Sequence, residues 1–115
     1  MFFVYIVTNR RDGVLYTGHT DDLSRRAYEH SVKAYKGFSA RYNCTRLVWF
    51  ECHETREVAF RRERQIKSWK RRWKINTIER LNPDWHDLYA SLTEANVYAS
   101  ERLYRPHAYL SHPPI

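Results

Sequence analysis

Apolar and β-branched residues form two short runs at the start of the chain, separated by a polar turn. The first run is Phe2–Thr8 and the second covers residues 14–17. The intervening Asn-Arg-Arg-Asp-Gly contains an Asp-Gly pair, which supplies the positive backbone φ of tight hairpin turns. The pattern predicts a β-hairpin whose second strand ends at Gly18. Residues 47–52 open with Leu-Val-Trp-Phe, a run typical of a strand covered on both faces.

Helical spacing follows the hairpin. Leu23 and Ala27 lie four residues apart on one stripe, and Thr20 or Asp21 can cap the helix at its start. This first helix is expected to fade near Gly37, where a glycine and polar residues interrupt the pattern.

A second amphipathic segment begins near Thr55 or Glu57 and extends to about residue 74. Its apolar residues share one broad sector of a helical wheel, and lysines and arginines cover most of the rest. One acid, Glu63, lies inside the apolar sector. A turn at residues 82–85 and a short helix over 85–92 are expected to follow. The apolar residues of the segment are Ala59, Ile66, Trp69 and Trp73.

These elements predict an α/β domain of the α+β kind. A small, mainly antiparallel sheet of three strands should be flanked by helices in the order β-β-α-β-α-α. Residues 1–92 are expected to form this one domain, which suits a chain of 115 residues. Residues 93–115, which end in His-Pro-Pro-Ile, are expected to be a partly irregular C-terminal extension.

The positive charge of the chain is concentrated in one segment. The formal net charge is +7, and residues 61–74 alone hold eight basic residues and one acid. The rest of the chain is balanced, so the segment indicates a polyanionic partner. The cations expected to contact that partner are Arg61, Arg64, Lys67, Lys70, Arg71, Arg72 and Lys74.

Composition argues against several other classes of protein. A hydrophobic content of 43% predicts a packed core and not a disordered chain. No apolar run approaches the roughly 20 residues of a membrane span, and no secretory signal is expected, so we expect a cytoplasmic protein without a membrane partner. Cys44 and Cys52 are too few for a disulfide framework or a disulfide-linked partner. Their spacing, even with His53, matches no common zinc site.

Residues that carry chemistry follow one another in a fixed order over residues 2–88. A Val-Tyr-Ile and a Tyr-Thr-Gly tripeptide stand on the two hairpin strands, and a helical Arg, a His one turn later and a single acid come next. This order resembles the GIY-YIG nuclease superfamily, and within it the small standalone bacterial domains similar to the N-terminal nuclease of the excision-repair endonuclease. Val4 replaces the glycine of the first motif. The matching residues are Tyr5, Tyr16, Gly18, Arg26, His30 and Glu63.

The resemblance implies a metal-dependent endonuclease that hydrolyses phosphodiester bonds in DNA. It assigns the activation of water to Tyr5 and the stabilisation of phosphoryl charge to Arg26. Glu63 is expected to bind one Mg²⁺ or Mn²⁺ ion, because a carboxylate suits a hard cation. Tyr16 and His30 are expected to order water and phosphate or to assist proton transfer. Related domains act in DNA repair, in restriction of incoming DNA and in mobile elements, so the pathway stays open.

Other interpretations of these residues stay open at this stage. A further site residue is expected at Asn82, with Asn76 as the alternative. Glu63 has a structural interpretation as an ion-pair partner of Arg26 or Lys67. The two tryptophans of the basic segment pack in the core or stack on unpaired bases, and packing is favoured for at least one. The alternative function is a non-catalytic or assembly-dependent module that binds DNA or RNA. Strandedness and oligomeric state are undetermined.

Overall fold

The computed structural model describes residues 1–34 and 37–92 of the chain. Its elements confirm the predicted α+β fold, a sheet of three antiparallel strands with helices packed on it. The strands are β1 (Phe2–Thr8), β2 (Leu15–Thr20) and β3 (Arg46–His53). The helices are α1 (Leu23–Ser31), α2 (Phe38–Arg41), α3 (Arg56–Ser68) and α4 (Arg71–Leu81), and a 3₁₀ turn follows at Leu88–Ser91. The expected C-terminal extension lies outside the described residues.

The first strand lies in the middle of the sheet, because the strand order is β2-β1-β3. Tyr5 is the central point of this register: it pairs with Gly18 on one side and with Phe50 on the other. The predicted position of Gly18 is corrected, since it lies inside β2 and does not end it. A β-bulge between Ile6 and Val7 shifts the pairing with β3.

Apolar residues are buried on both faces of the sheet. Phe3 and Tyr5 belong to one core, shared with Leu23 and Ala27 of α1. Val4 belongs to the other core, shared with α3 and α4. The alternation of side chains along a strand distributes an almost wholly apolar β1 between these two cores. The prediction that β3 is covered on both faces is confirmed by its burial pattern.

The predicted long helix is wrong in one respect, because two helices replace it. The first ends at Ser68, Trp69 and Lys70 adopt extended backbone, and α4 begins at Arg71. No glycine or proline marks this break in the sequence. Trp69 is buried beside Ile66 in the core beneath α3, so burial of this large side chain overrides local helix propensity. The packing interpretation of Trp69 is thereby confirmed.

Segment ends differ in smaller ways. The N-cap of α1 is Asp22, whose carboxylate accepts a hydrogen bond from the Arg25 N–H, in place of Thr20 or Asp21. The helix also ends earlier than expected, at Ser31, and Gly37, at a φ of 109°, is the N-cap of the four-residue helix α2.

Among the described residues, no helix has the length and apolar character to cross a membrane.

Candidate active site

The Tyr5 side chain occupies a space that a glycine leaves open. Tyr5 and Gly18 face each other across β1 and β2. A Cβ atom at position 18 would lie 2.6 Å from Tyr5 Cζ, well inside van der Waals contact. Tyr5 is 2% exposed, so its ring is fixed by packing against the backbone of the neighbouring strand. The Tyr-Thr-Gly motif thus supplies one tyrosine and makes room for the other.

His30, near the end of α1, forms a hydrogen bond with the Tyr5 hydroxyl. Tyr5 Oη lies 2.9 Å from His30 Nε2, and His30 Nδ1 lies 3.1 Å from Ser39 Oγ at the start of α2. Burial lowers the pKa of His30 to about 4; the charge of Arg26 acts in the same direction and Glu29 opposes it. The imidazole is therefore neutral at neutral pH, with one N–H and one lone pair shared between two hydroxyl partners.

Tyr16 and Arg26 flank this hydrogen-bonded chain. The Tyr16 ring centroid is 5.5 Å from that of His30, as is the Tyr5 ring centroid. Arg26 lies one turn before His30 on α1 and is half-buried. Four of the residues expected in the site, from β1, β2 and α1, therefore form one group around the His30 ring.

Glu63 lies on the opposite face of the sheet, where α3 packs against β2. Its Oε1 is 3.0 Å from His19 Nδ1, and its Oε2 is 3.5 Å from Lys67 Nζ. The same Lys67 ammonium lies 5.8 Å from the centre of the Tyr16 ring, so it connects the two groups at the edge of the sheet. The ion pair with Lys67 that the sequence suggested is confirmed.

The contact between His19 and Glu63 was not predicted from the sequence. His19 follows Gly18 in an edge strand, and its side chain therefore points to the face opposite that of Tyr5 and Tyr16. A signal was present, since this face lies beneath α3 and Glu63 faces inward from that helix. The inward side of α3 and the face of β2 that carries His19 are opposed, so His19 and Glu63 come into contact.

The ligands available at Glu63 suit only certain metals. Mg²⁺ keeps most of its waters and needs one or two carboxylates together with substrate phosphates. The Glu63 side chain is 11% exposed, and Lys67, at 49%, is free to change its position. A single, largely buried carboxylate fits such a cation, because most of the remaining ligands are waters and phosphate oxygens. Within residues 1–34 and 37–92, no group of three or more His, Cys, Asp or Glu residues could hold a metal by itself. Burial raises the pKa of the Cys44 thiol.

Helix α3, which carries part of the basic segment, and the start of α4 contact the two ends of strand β2. Arg56 pairs with Asp21 beyond one end of β2 at 3.2 Å, and Arg71 binds the Asp12 and Gly13 carbonyls of the hairpin turn before the other end, at 2.6 and 2.7 Å. Burial lowers the pKa of Lys74, with the nearby Arg71 and Lys67 charges acting in the same direction. The positive charge is thus dense on this side of the domain. The exposed cations are Arg61, Arg64, Lys67, Lys70, Arg71 and Arg72, with Lys74 half-buried.

One arginine of the segment points inward. Arg62 Nε donates to the buried Glu51 Oε1 at 2.5 Å, and His53 Nε2 lies 2.9 Å from the same carboxylate oxygen. The guanidinium also lies over the Trp69 ring at 5.1 Å. This arginine neutralises a buried acid and supports the end of α3, so it is unavailable to a polyanion.

Asn82 is not brought to the group around His30. Its Nδ2 donates to the carbonyls of Val48 and His86 at 2.9 and 3.0 Å. Its Oδ1 accepts from the His86 N–H, which closes the turn after α4. Because Val48 belongs to β3, Asn82 lies at the sheet edge opposite β2. The alternative residue, Asn76, lines an open groove on α4 with Arg71 and Arg72.

Comparison with known proteins gives the family. Residues 1–76 match the model of the GIY-YIG catalytic domain. The protein belongs to the GIY-YIG family. This assignment confirms the resemblance carried by the two tyrosine motifs, and the fold is that of a nuclease-type domain.

Relatives of this GIY-YIG protein are small proteins as well. A UPF0213 protein of Haloquadratum walsbyi is 42% identical over 77 residues, covering 67% of this chain and 85% of the relative. A UPF0213 protein of Staphylococcus aureus is 38% identical over 81 residues, covering 67% and 93%. The solution structure of a UPF0213 protein from Bacillus halodurans shares 28% identity at a TM-score of 0.45, covering 76% of this chain and 93% of that one. The aligned region makes up most of each of these proteins.

Proposed function

We propose that this GIY-YIG protein is a metal-dependent endonuclease that hydrolyses phosphodiester bonds in DNA. The observation that carries the proposal is the buried hydrogen-bond chain Tyr5–His30–Ser39. Its tyrosine end lies beside the edge strand β2, where Lys67 contacts the Tyr16 ring. A tyrosine held this way, with an arginine one turn from its histidine partner, has the components of proton transfer next to a phosphate.

Tyr5 removes the proton from the attacking water. This role requires negative charge on Tyr5 Oη, and the 2.9 Å contact to His30 Nε2 stabilises that charge when Nε2 carries the imidazole proton. In that tautomer the Ser39 hydroxyl donates to His30 Nδ1, so both ring nitrogens keep a partner. The neutral state of His30 makes this arrangement available at neutral pH.

Arg26 and Tyr16 act on the phosphate. The guanidinium of Arg26 is permanently charged and planar, which suits the two oxygens of a phosphodiester and the charge that grows on them. Tyr16 lies between His30 and Lys67 and orders the water and the phosphate between them.

Glu63 is the residue that would hold Mg²⁺ or Mn²⁺. When bound, such an ion supplies Lewis-acid stabilisation of phosphate charge and lowers the pKa of its bound water. His19 Nδ1 fixes one oxygen of the Glu63 carboxylate at 3.0 Å, which restricts the rotamer of the side chain. Lys67 covers the other oxygen and is exposed enough to leave it.

The test is cleavage of single-stranded, duplex and branched DNA in the presence of Mg²⁺ or Mn²⁺. Glu63→Gln keeps the shape of the side chain and removes its charge, so we expect a loss of at least about a hundred-fold in cleavage rate. The matched control is Glu57→Gln on the same helix, an exposed acid that pairs with Arg61. The control should cut like the wild type, and equal cutting by all three proteins would contradict the role of Glu63.

One observation favours the alternative function, a module that binds nucleic acid without cutting. The Glu63 carboxylate already has two partners, His19 and Lys67, and Tyr5 is almost fully buried. This alternative predicts that wild type and Glu63→Gln bind DNA equally and that neither cuts any substrate with either metal. Cutting by the wild type alone would exclude it.

A further inference from the structure

Three aromatic rings form a continuous row that extends from the proposed site to the surface. The Tyr16 and Phe38 rings are stacked with an interplanar angle of 27° and centroids 6.3 Å apart. The Tyr42 ring follows, with its centroid 4.7 Å from that of Phe38. Phe38 is 49% exposed and Tyr42 is 40% exposed. We call Phe38 and Tyr42 the aromatic platform.

The exposure of the platform is imposed by the anchoring of α2. Ser39, between the two aromatic positions, is buried and holds His30 Nδ1 with its hydroxyl, while its carbonyl accepts the Cys44 N–H at 2.7 Å. These contacts fix the inner side of the helix. The rings of Phe38 and Tyr42 therefore remain on the outer side, where an apolar surface in water is unfavourable without a partner.

Cations accompany the rings. The Arg41 guanidinium lies 5.6 Å from the centre of the Tyr42 ring, and the Lys67 ammonium lies 5.8 Å from the centre of the Tyr16 ring. Aromatic faces beside positive charge match a chain that alternates flat bases with phosphates. An apolar protein partner would gain nothing from these charges. In a continuous duplex both faces of every base are already stacked, so only an unpaired base has a face to offer.

We propose that the aromatic platform stacks on an unpaired base of the substrate, adjacent to the phosphate held at Tyr16 and Arg26. The protein then prefers single-stranded or locally unpaired DNA over continuous duplex. This inference rests on the proposed function, because the row of rings ends at the proposed site. It adds a residue pair that selects the substrate without taking part in the chemistry.

The experiment measures binding of a labelled oligothymidine and of a duplex by fluorescence anisotropy, without divalent metal. Phe38→Leu keeps apolar volume and removes the aromatic face, whereas Phe38→Trp keeps a face. We expect Phe38→Leu to bind the single strand about ten-fold more weakly, with duplex binding within about two-fold, and Phe38→Trp to bind both like the wild type. Tyr89→Leu, an exposed aromatic on the 3₁₀ turn, is the matched control and should change neither.

Two results would overturn the inference. One is an equal loss for single strand and duplex, which assigns Phe38 to general packing. The other is unchanged single-strand binding by both Phe38→Leu and the double variant Phe38→Leu, Tyr42→Leu. Circular dichroism confirms that each variant is folded. Failure of the proposed function is a different result: a wild type that cuts nothing, while Phe38→Leu still loses single-strand binding selectively, contradicts catalysis and supports the platform.

Discussion

His30 makes the stability of the protein depend on pH. Its folded-state pKa is about 4, below the ordinary value of 6.5, chiefly because the ring is buried. As pH falls below the ordinary value, the unfolded chain takes up a proton on His30 while the folded chain does not. Stability therefore falls as pH decreases through this window, and the loss levels off below the folded-state pKa.

The size of the effect follows from the two pKa values. Proton linkage between 6.5 and about 4 gives a loss of about 2 kcal/mol on going from about pH 7.5 to about pH 5. The 4% exposure of His30 means that solvent screens the group little. For a domain with a total stability of about 5–15 kcal/mol, such a change is readily measured.

Urea denaturation followed by the fluorescence of the buried Trp49 and Trp85 measures the change at both pH values. His30→Gln keeps an amide near Tyr5 but does not titrate, so its loss between the two pH values should be smaller by about 2 kcal/mol. The contributions of all other groups are common to the two proteins and cancel in this difference. His86→Gln, at an exposed position, should lose as much as the wild type. An equal loss in wild type and His30→Gln would refute the reasoning.

Two substitutions test packing around the site. Gly18→Ala places a Cβ 2.6 Å from Tyr5 Cζ, and we expect it to cost about 1–3 kcal/mol in urea denaturation and to abolish cleavage by displacing Tyr5 from His30; a stable, active variant would contradict the close approach. Arg62→Met leaves the buried Glu51 without its arginine, and we expect the free energy of unfolding to fall by about 3–5 kcal/mol. Adding Glu51→Leu should recover most of this loss; no recovery in the double variant would show that the ion pair is not its source.

Local patterns were sufficient for β1 and β3, whereas the residues around His30 were identified through the resemblance to the GIY-YIG family. The runs that became β1 and β3 are apolar throughout, and burial on both faces of a sheet requires this composition. The tyrosine motifs were also local, since each lies within one strand. Gly18 was assigned to the wrong position because a strand end and a close cross-strand neighbour both select glycine. Only the pairing with Tyr5 distinguishes the two.

Contacts between distant segments account for what the sequence did not reveal. The break at Trp69 comes from burial beneath α3, which has no local marker. His19 is 44 residues from Glu63, and the contact needs the register of β2, the angle of α3 and the inward direction of Glu63 together. Asn82 illustrates the converse, because an asparagine that closes a turn and an asparagine in a site look alike in a sequence.

Not all eight cations of the basic segment are available to contact a nucleic acid. Arg62 neutralises Glu51 inside the domain, and Arg71 binds two carbonyls of the hairpin turn, so two of the eight cations maintain the fold. These two contacts attach the segment to the sheet: Arg62 binds Glu51 of β3 beneath α3, and Arg71 binds the hairpin turn before β2. The two contacts hold the helices that carry the remaining cations against the sheet. A flexible basic tail would attract a polyanion equally well, but it could not hold a phosphate at a set distance from Arg26 and Tyr5.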